Sequence, residues 1–228
     1  MAIIQTPTPN LEESLAFYQT LGFSILPHPN KTIVSDGKAI IEINPNRFAR
    51  AGFQLFSNDW LAIIKQLKKE TAIVKIDDGY LLGDTSGNSI YLIETADIPQ
   101  FSTTEKSSVA LGNFAGLSLE VIDIDKAMKI YAILGFKVTM GSLEQGWIAL
   151  ANQMGFSVSL MKPNACPHLF FNPSMTYFNG AENLKIIQNI RDLNIPITEE
   201  ITHFNKDGIV DNIIIRDPGG YGFFLFSD

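Results

Sequence analysis

An internal repeat constrains the fold of this chain more than any other feature of its sequence. The segment 10–23, NLEESLAFYQTLGF, is echoed by the segment 123–136, DIDKAMKIYAILGF. Each copy begins with an Asn or Asp, residue types that cap helices, and each copy ends in Leu-Gly-Phe. The repeat predicts that the two halves of the chain fold alike, since repeated sequence specifies repeated structure.

Both copies of the repeat have the pattern of an amphipathic helix that ends at a glycine. Gly22 and Gly135 follow the last apolar position, where a left-handed residue stops a helix. Apolar side chains recur at helical spacing and form one stripe in each copy. The stripes consist of Leu11, Leu15, Tyr18 and Leu21 in the first copy, and of Ile124, Met128, Tyr131 and Leu134 in the second.

A second pair of motifs marks the end of each half. Turn-rich segments at 84–88, DTSGN, and at 217–221, DPGGY, each precede an aromatic strand. Between these markers the pattern predicts a strand, a helix and three further strands, four times over. The predicted first strands of the four units are 3–6, 52–56, 114–120 and 167–171, and predicted helices include 60–69, 124–134 and 181–193. The polar segment 98–112 predicts a linker between domains at 1–97 and 113–228.

Composition narrows the classes of function. The net charge is −7, and no basic cluster is stronger than 65–69, KQLKK, so nucleic acid is not an expected partner. No apolar run reaches the length of a membrane span, and the N-terminus lacks a signal-like pattern, which predicts a cytoplasmic protein without a membrane partner. Cys166 is the only cysteine, so the chain has neither an internal disulfide nor a Cys-x-x-Cys metal motif.

The repeated helix ending in Leu-Gly-Phe and the Asp-Pro-Gly-Gly turn resemble the vicinal oxygen chelate superfamily, which includes glyoxalases, bleomycin-resistance proteins and extradiol dioxygenases. The resemblance covers nearly the whole chain. It implies an α+β fold in which four βαβββ units pair into two tandem glyoxalase-like domains. Each domain would be a curved mixed sheet that forms a cup, with its helices outside and any ligand inside.

The metal ligands that this resemblance implies are mostly missing. Metal-using members carry His on the first strand of a unit and Glu on the strand after the turn. The matching first-strand positions hold Ile3, Gly116 and, in the second unit, Gly52, and the Glu positions hold Tyr91 and Phe224. Only His168 matches a ligand position, that of the fourth unit, and one imidazole does not make a metal site. No metal and no cofactor are therefore expected.

Side chains two apart on a strand share a face, and this alternation predicts which residues line each cup. The predicted lining is apolar and aromatic with a few polar groups, as expected for an organic ligand; the alternative is that the aromatic rings simply fill the cups as core. Glu120 and His168 form the only candidate acid/base pair. The predicted ligand-binding residues are Gln5, Gln54 and Tyr91 in the first cup, and Ser118, Glu120, His168, Phe170 and Phe224 in the second.

These observations favour a metal-free protein of the glyoxalase and bleomycin-resistance type that binds an apolar or aromatic small molecule without converting it. The alternative is a metal-dependent lyase, isomerase or ring-cleaving dioxygenase whose ligands have moved to His168, Glu120 or His203. A third hypothesis, from another class, is a domain pair that serves only in assembly or regulation, since members of the superfamily often form homodimers. Fold resemblance by itself does not decide among these functions.

Overall fold

The computed structural model describes residues 2–227 and contains two eight-stranded sheets. The first sheet belongs to residues 2–94, called here the first domain. Its helices are α1 (Leu11–Thr20) and α2 (Leu61–Leu67). Its strands are β1 (Ala2–Pro7), β2 (Ser24–Leu26), β3 (Thr32–Ser35), β4 (Ile40–Asn44), β5 (Gly52–Ser57), β6 (Ile73–Ile76), β7 (Gly79–Gly83) and β8 (Ser89–Glu94), in the spatial order β2-β3-β4-β1-β5-β8-β7-β6.

The second domain, residues 114–226, repeats this arrangement. Its helices are α3 (Ile124–Ile133) and α4 (Asn183–Asp192), and a short 3₁₀ turn (Gly180–Glu182) precedes α4. Its strands are β9 (Phe114–Glu120), β10 (Lys137–Ser142), β11 (Trp147–Ala151), β12 (Ser157–Met161), β13 (Ser174–Phe178), β14 (Ile197–Ile201), β15 (Asn212–Arg216) and β16 (Gly222–Phe226). The spatial order β10-β11-β12-β9-β13-β16-β15-β14 matches the first sheet strand for strand.

Each sheet is made of two βαβββ units joined at its centre. Within a unit the first and last strands are parallel, as in β1 with β4 and β5 with β8. The two units meet through the antiparallel pair of β1 and β5 in the first domain and of β9 and β13 in the second. This topology confirms the predicted α+β fold of four units paired into two glyoxalase-like domains.

The repeated helices begin and end where the sequence predicts. The side chain of Asn10 accepts a hydrogen bond from the backbone N–H of Glu13 at 3.2 Å, and Asp123 accepts one from Lys126 at 2.9 Å. Both caps satisfy a backbone donor that a helix start leaves free. Gly22 and Gly135 lie at φ values of 91° and 88°, so the predicted left-handed helix stops are confirmed.

The helices cover one face of each sheet and contact the other domain across a shared hydrophobic core. Tyr18 of α1 packs against Phe223 of β16 with a centroid distance of 6.1 Å. Tyr131 of α3 packs against Phe53 of β5 at 6.3 Å. One continuous cluster of buried apolar residues therefore spans both domains. The opposite face of each sheet is left to form a cup.

Three buried hydrogen bonds from tyrosine to aspartate join the domains. The hydroxyl of Tyr18 donates to Asp217 Oδ2 at 3.0 Å, and its repeat equivalent, Tyr131, donates to Asp84 Oδ2 at 3.3 Å. Tyr177 donates to Asp36 Oδ2 at 2.9 Å. Burial raises the pKa of Asp217, although several hydrogen bonds to its carboxylate act in the opposite direction. The motif aspartates thus fix the contact between the domains.

The segment between the two sheets is mostly irregular and lies along the first domain. Ser108 N donates to the carbonyl oxygen of Asp36 at 2.8 Å, and Ser107 Oγ donates to Asp36 Oδ2 at 2.9 Å. Ala110 N donates to the carbonyl oxygen of Leu21 at 2.9 Å. Asp36 is therefore shared between this segment and the hydroxyl of Tyr177.

The predicted first strand of the fourth unit, at 167–171, is wrong. That strand is β13, Ser174–Phe178, and 167–171 belong to the loop that precedes it. The run HLFF has the composition of a strand. The strand pairing nevertheless places 174–178 in the sheet, since Thr176 lies opposite both Gly116 of β9 and Phe224 of β16.

Across the part of the chain described, no helix has the length and apolar character needed to span a membrane.

Candidate ligand-binding cups

The second cup is a cavity of about 240 Å³ on the face of the second sheet that the helices leave free. Its floor comes from β9, β13, β15 and β16, and its wall from the loop before β13. The lining residues are Ser118, Met161, Cys166, His168, Phe170, Thr176, Phe178, Phe204, Asn212, Phe224 and Phe226.

Aromatic rings form most of the second cup. The ring of Phe224 lies 5.0 Å from Phe170 and 5.7 Å from Phe226, in both cases edge to face. The imidazole of His168 lies 5.4 Å from Phe224 and 5.3 Å from Phe226. Edge-to-face contacts at these distances hold the rings in fixed orientations. The second cup is thus an aromatic enclosure.

A pair of hydroxyl groups lies on the floor of this enclosure. Ser118 Oγ and Thr176 Oγ1 are 2.6 Å apart, and both side chains are buried. One hydroxyl donates to the other, so one proton of the pair is left to donate elsewhere. The described lining includes no Asp, Glu, Lys or Arg, and burial raises the pKa of the Cys166 thiol. The second cup is therefore weakly polar apart from the imidazole of His168.

His168 and Glu120 are placed apart. His168 lines the cup, although it lies in a loop, and its Nδ1 is 2.8 Å from the carbonyl oxygen of Leu169. The loop is anchored where Leu169 N donates to Glu199 Oε2 at 2.7 Å. Glu120 instead accepts a hydrogen bond from Asn164 N at 3.0 Å, and it is not among the lining residues. The structure gives no hydrogen bond between this carboxylate and His168.

The side chains at the expected metal positions do not fit a metal ion. Because β13 is the first strand of the fourth unit, Thr176 and not His168 occupies the ligand position of that unit. Gly116, Thr176 and Phe224 lie side by side on the floor. None of them supplies an imidazole or a carboxylate, the donors that divalent metals need. Within residues 2–227 no group of three or more His, Cys, Asp or Glu side chains could hold a metal ion. This includes His203, which contacts the ring of Phe204.

The first cup lies at the equivalent place on the first sheet and has a volume of about 610 Å³. More than half of its lining residues carry charged or amide side chains, whereas an apolar and aromatic lining was predicted for both cups. The lining residues are Gln5, Lys31, Asn44, Asn46, Phe48, Ala49, Gln54, Lys75, Ile76, Asp77, Asp78, Leu81, Tyr91 and Ile93. All three residues predicted for this cup are among them.

A hydrogen-bonded network orients the polar side chains of the first cup. Gln54 Nε2 donates to Gln5 Oε1 and to Glu42 Oε2, both at 2.7 Å. Asn44 Nδ2 donates to Gln5 Oε1 at 3.1 Å. Lys31 Nζ forms an ion pair with Glu42 Oε2 at 2.7 Å. The buried carboxylate of Glu42 therefore has a cation and an amide as partners, as a buried charge requires.

Sequence reasoning missed several lining residues, for two different reasons. Phe226 could have been predicted from the sequence, since it lies two positions after Phe224 on the same strand face. Thr176 was missed because its strand was placed too early. Lys31 and Asn44 could not be predicted without knowing which strands are neighbours, because β4 pairs with β1 although other elements separate the two strands in the sequence.

The two sheets and their paired βαβββ units define the fold as two tandem glyoxalase-like domains, each with a cup on one face. No protein-family model and no curated protein matches the sequence. Solved structures do match, and several of them are dioxygenases. Homoprotocatechuate 2,3-dioxygenase from Arthrobacter globiformis matches with a TM-score of 0.60 at 14% identity, covering 97% of this chain and 77% of that chain.

Two further structures match over most of both chains. The 2,2',3-trihydroxybiphenyl 1,2-dioxygenase from Sphingomonas wittichii strain RW1 has a TM-score of 0.57 at 16% identity, covering 100% of this chain and 91% of that chain. The 2,3-dioxygenase LapB from Pseudomonas sp. KL28 has a TM-score of 0.57 at 15% identity, with coverages of 97% and 89%. At such identities the likeness establishes the fold, and the predicted tandem arrangement is confirmed.

Proposed function

We propose that this chain binds a small, neutral aromatic molecule in its second cup without using a metal ion. The observation that carries the proposal is the aromatic enclosure around the hydroxyl pair of Ser118 and Thr176. The rings provide faces and edges for a flat apolar body, and the free hydroxyl proton provides one hydrogen bond. A molecule with a single phenolic or carbonyl oxygen meets both requirements.

The size and charge of the second cup support the same class of ligand. A cavity of about 240 Å³ is smaller than the roughly 300–1,000 Å³ of sites for drug-sized molecules, which favours a ligand with one or two rings. A charged ligand would lose its hydration with no carboxylate, lysine or arginine in the described lining to compensate it. Neutral phenols and aromatic ketones are therefore favoured over aromatic acids.

Calorimetric titration and thermal unfolding with phenol, 2-naphthol, acetophenone and benzoate test this proposal. A ligand at about 100 times its Kd adds about 2.7 kcal/mol of stability, which raises the Tm of a chain of this size by about 5–10 °C. We expect neutral compounds to bind and benzoate to fail. The half-buried Phe170→Ala variant should weaken binding about tenfold, and Leu61→Ala, which is 67% exposed on α2, should leave it unchanged. Equal binding by both variants would refute the proposal.

The second candidate is a metal-dependent ring-cleaving enzyme, and the solved structures of similar fold favour it over a binding protein. The residues at Gly116, Thr176 and Phe224 oppose it, because none of them supplies an imidazole or a carboxylate. Elemental analysis of protein purified without chelator, combined with oxygen uptake on catechol, separates the two candidates. Stoichiometric iron or manganese together with oxygen uptake would replace our proposal by this one.

Three further expectations belong with this proposal. We propose that residues 98–112 link domains at 1–97 and 113–228, that the protein is cytoplasmic, and that two copies form a homodimer. Limited proteolysis should cut first within 98–112. Light scattering should give twice the chain mass of 25.2 kDa, and a strict monomer would rule out the homodimer.

A further inference from the structure

The two cups have the same backbone but opposite chemistry. Strand order and register make Gln5 equivalent to Ser118, and Gln54 equivalent to Thr176. Tyr91 is likewise equivalent to Phe224, because Tyr91 lies opposite Gln54 and Phe224 lies opposite Thr176, each the third residue of its strand. The first cup therefore presents two amides and a phenol where the second presents two short hydroxyls and a phenyl ring. One sheet architecture carries two different sets of side chains at the same positions.

We propose that the first cup is a separate binding site for a neutral polyhydroxylated molecule of about monosaccharide size. Gln5 and Gln54 are each 2% exposed, and Glu42 is 5% exposed, yet they lie on the sheet face that no helix covers. Buried polar side chains in such a place are costly to the fold, so a row of them is informative. This inference does not depend on what occupies the second cup.

The network leaves hydrogen-bonding groups free on the cavity side. Among the described residues, the hydroxyl of Tyr91 accepts from Arg50 N at 3.0 Å, and its own proton has no acceptor. Gln54 Oε1 has only a long contact, 3.5 Å, with Lys31 Nζ. Lys31 keeps an N–H beyond its bonds to Glu42 and Gln54. The cup therefore offers both donors and an acceptor, held in fixed positions by the groups behind them.

A hydroxyl group both donates and accepts, so several adjacent hydroxyls match this mixed set better than a carboxylate or an ammonium does. The charges point the same way. Lys31 is paired with Glu42 and Lys75 with Glu94, and Asp77 and Asp78 are exposed at the mouth of the cup, where they repel anions. The Phe48 ring, 67% exposed at the rim, offers an apolar face to the C–H side of such a molecule.

The volume also suits this class. A cavity of about 610 Å³ is more than twice that of the second cup, and it lies within the usual range for small-molecule sites. A molecule with five or six hydroxyls fits within such a space and leaves room for ordered water, and its own groups replace the hydrogen bonds of the water that it displaces. A flat apolar ring in the same cup would leave the Tyr91 proton, Gln54 Oε1 and the remaining N–H of Lys31 without partners.

Calorimetric titration of the full chain tests the proposal, with D-glucose, D-galactose, D-xylose and myo-inositol as neutral probes and acetate and citrate as acids. We expect at least one neutral probe to bind saturably at one molecule per chain and both acids to fail. Lys31→Met and Tyr91→Phe should each weaken binding about tenfold, since each removes one buried hydrogen bond to the probe. Lys69→Met, an exposed lysine at the end of α2, is the matched control and should bind as the parent does.

Circular dichroism and thermal unfolding of each variant separate lost binding from lost folding. Tyr91→Phe keeps the ring and should unfold within a few degrees of the parent. Lys31→Met leaves the buried carboxylate of Glu42 without its cation and should unfold at a lower temperature, so its binding is measured where circular dichroism shows a folded chain. Saturation by an acid instead of a neutral probe would overturn the assigned ligand class. Absence of binding by every neutral probe at 20 mM, as an order-of-magnitude upper limit for a specific site, would overturn the site itself. Binding that is indifferent to both cup variants would do the same.

Discussion

The tyrosines at the domain contact provide a controlled test of how the two halves are held together. Tyr18 and Tyr221 are both buried, at 0% and 2% exposure, and both lie near Asp217. The Tyr18 hydroxyl donates to Asp217 Oδ2 at 3.0 Å. The Tyr221 hydroxyl, among the described residues, has no hydrogen-bond partner. Replacing each tyrosine by phenylalanine removes the same atoms from two sites that differ in one hydrogen bond.

The two substitutions should change stability in opposite directions. Tyr18→Phe removes a buried hydrogen bond to a carboxylate, which contributes about 1.5–3 kcal/mol. Asp217 keeps its bonds from Thr6 Oγ1 at 2.6 Å and from Tyr221 N at 2.7 Å, so the lower half of that range is expected. Tyr221→Phe removes a buried hydroxyl that has lost its hydration without compensation, and it should stabilise the fold by about 1 kcal/mol. The predicted gap between the variants is therefore about 2.5–3 kcal/mol.

Urea unfolding followed by fluorescence and circular dichroism measures this gap. In thermal unfolding it corresponds to a Tm difference of about 5–12 °C for a chain of this size. The repeat equivalent of Tyr18 provides an internal check: Tyr131→Phe should be slightly milder, because its hydrogen bond to Asp84 is 3.3 Å long. Equal effects of Tyr18→Phe and Tyr221→Phe would show that the hydroxyl bond to Asp217 does not stabilise the domain contact.

Three other perturbations have defined outcomes. Burial raises the pKa of Asp217 above 3.8, so the folded state holds this proton more tightly than the unfolded state. The stability that the proton on Asp217 contributes is complete below pH 3.8 and is lost as the pH rises through the folded pKa. Over this pH range Asp217→Asn should therefore gain stability relative to the parent by up to about 1.4 kcal/mol per pH unit. A difference in urea midpoints that stays constant over the same range would contradict this prediction. Gly52→Ala should lower the free energy of unfolding by about 3 kcal/mol or more, because its Cβ would lie 1.9 Å from the carbonyl oxygen of Ser89. Gly146→Ala, at φ 78° in open space, should lower it by only about 1–2 kcal/mol in the same assay. Asp123→Ala should cost about 1 kcal/mol in thermal unfolding through loss of the helix cap, and an unchanged Tm would mean that the cap does not contribute.

The fold could be predicted because its determinants are local and occur twice. Caps, glycine stops and turn motifs act within a few residues of themselves, so Asn10, Gly22 and their equivalents have the same effect in any context. The same holds for the first strand of the third unit, whose predicted bounds match β9. Where local composition was the only guide, as at 167–171, the prediction failed. There a histidine and two phenylalanines form a loop that folds over the cup instead of a strand within it.

The sequence by itself determined the repeat, the helix ends, the alternation of faces and the aromatic rings at Tyr91 and Phe224, since each of these depends on residue identity or on neighbours along the chain. Only the tertiary structure decided which strands lie side by side. The pairing of β1 with β4 brings Glu42 next to Gln5 and makes the first cup polar, and the loop before β13 brings His168 over Phe224. Such contacts join residues far apart in the chain, and side-chain chemistry alone cannot place them, because pairing depends on the free energy of the whole sheet.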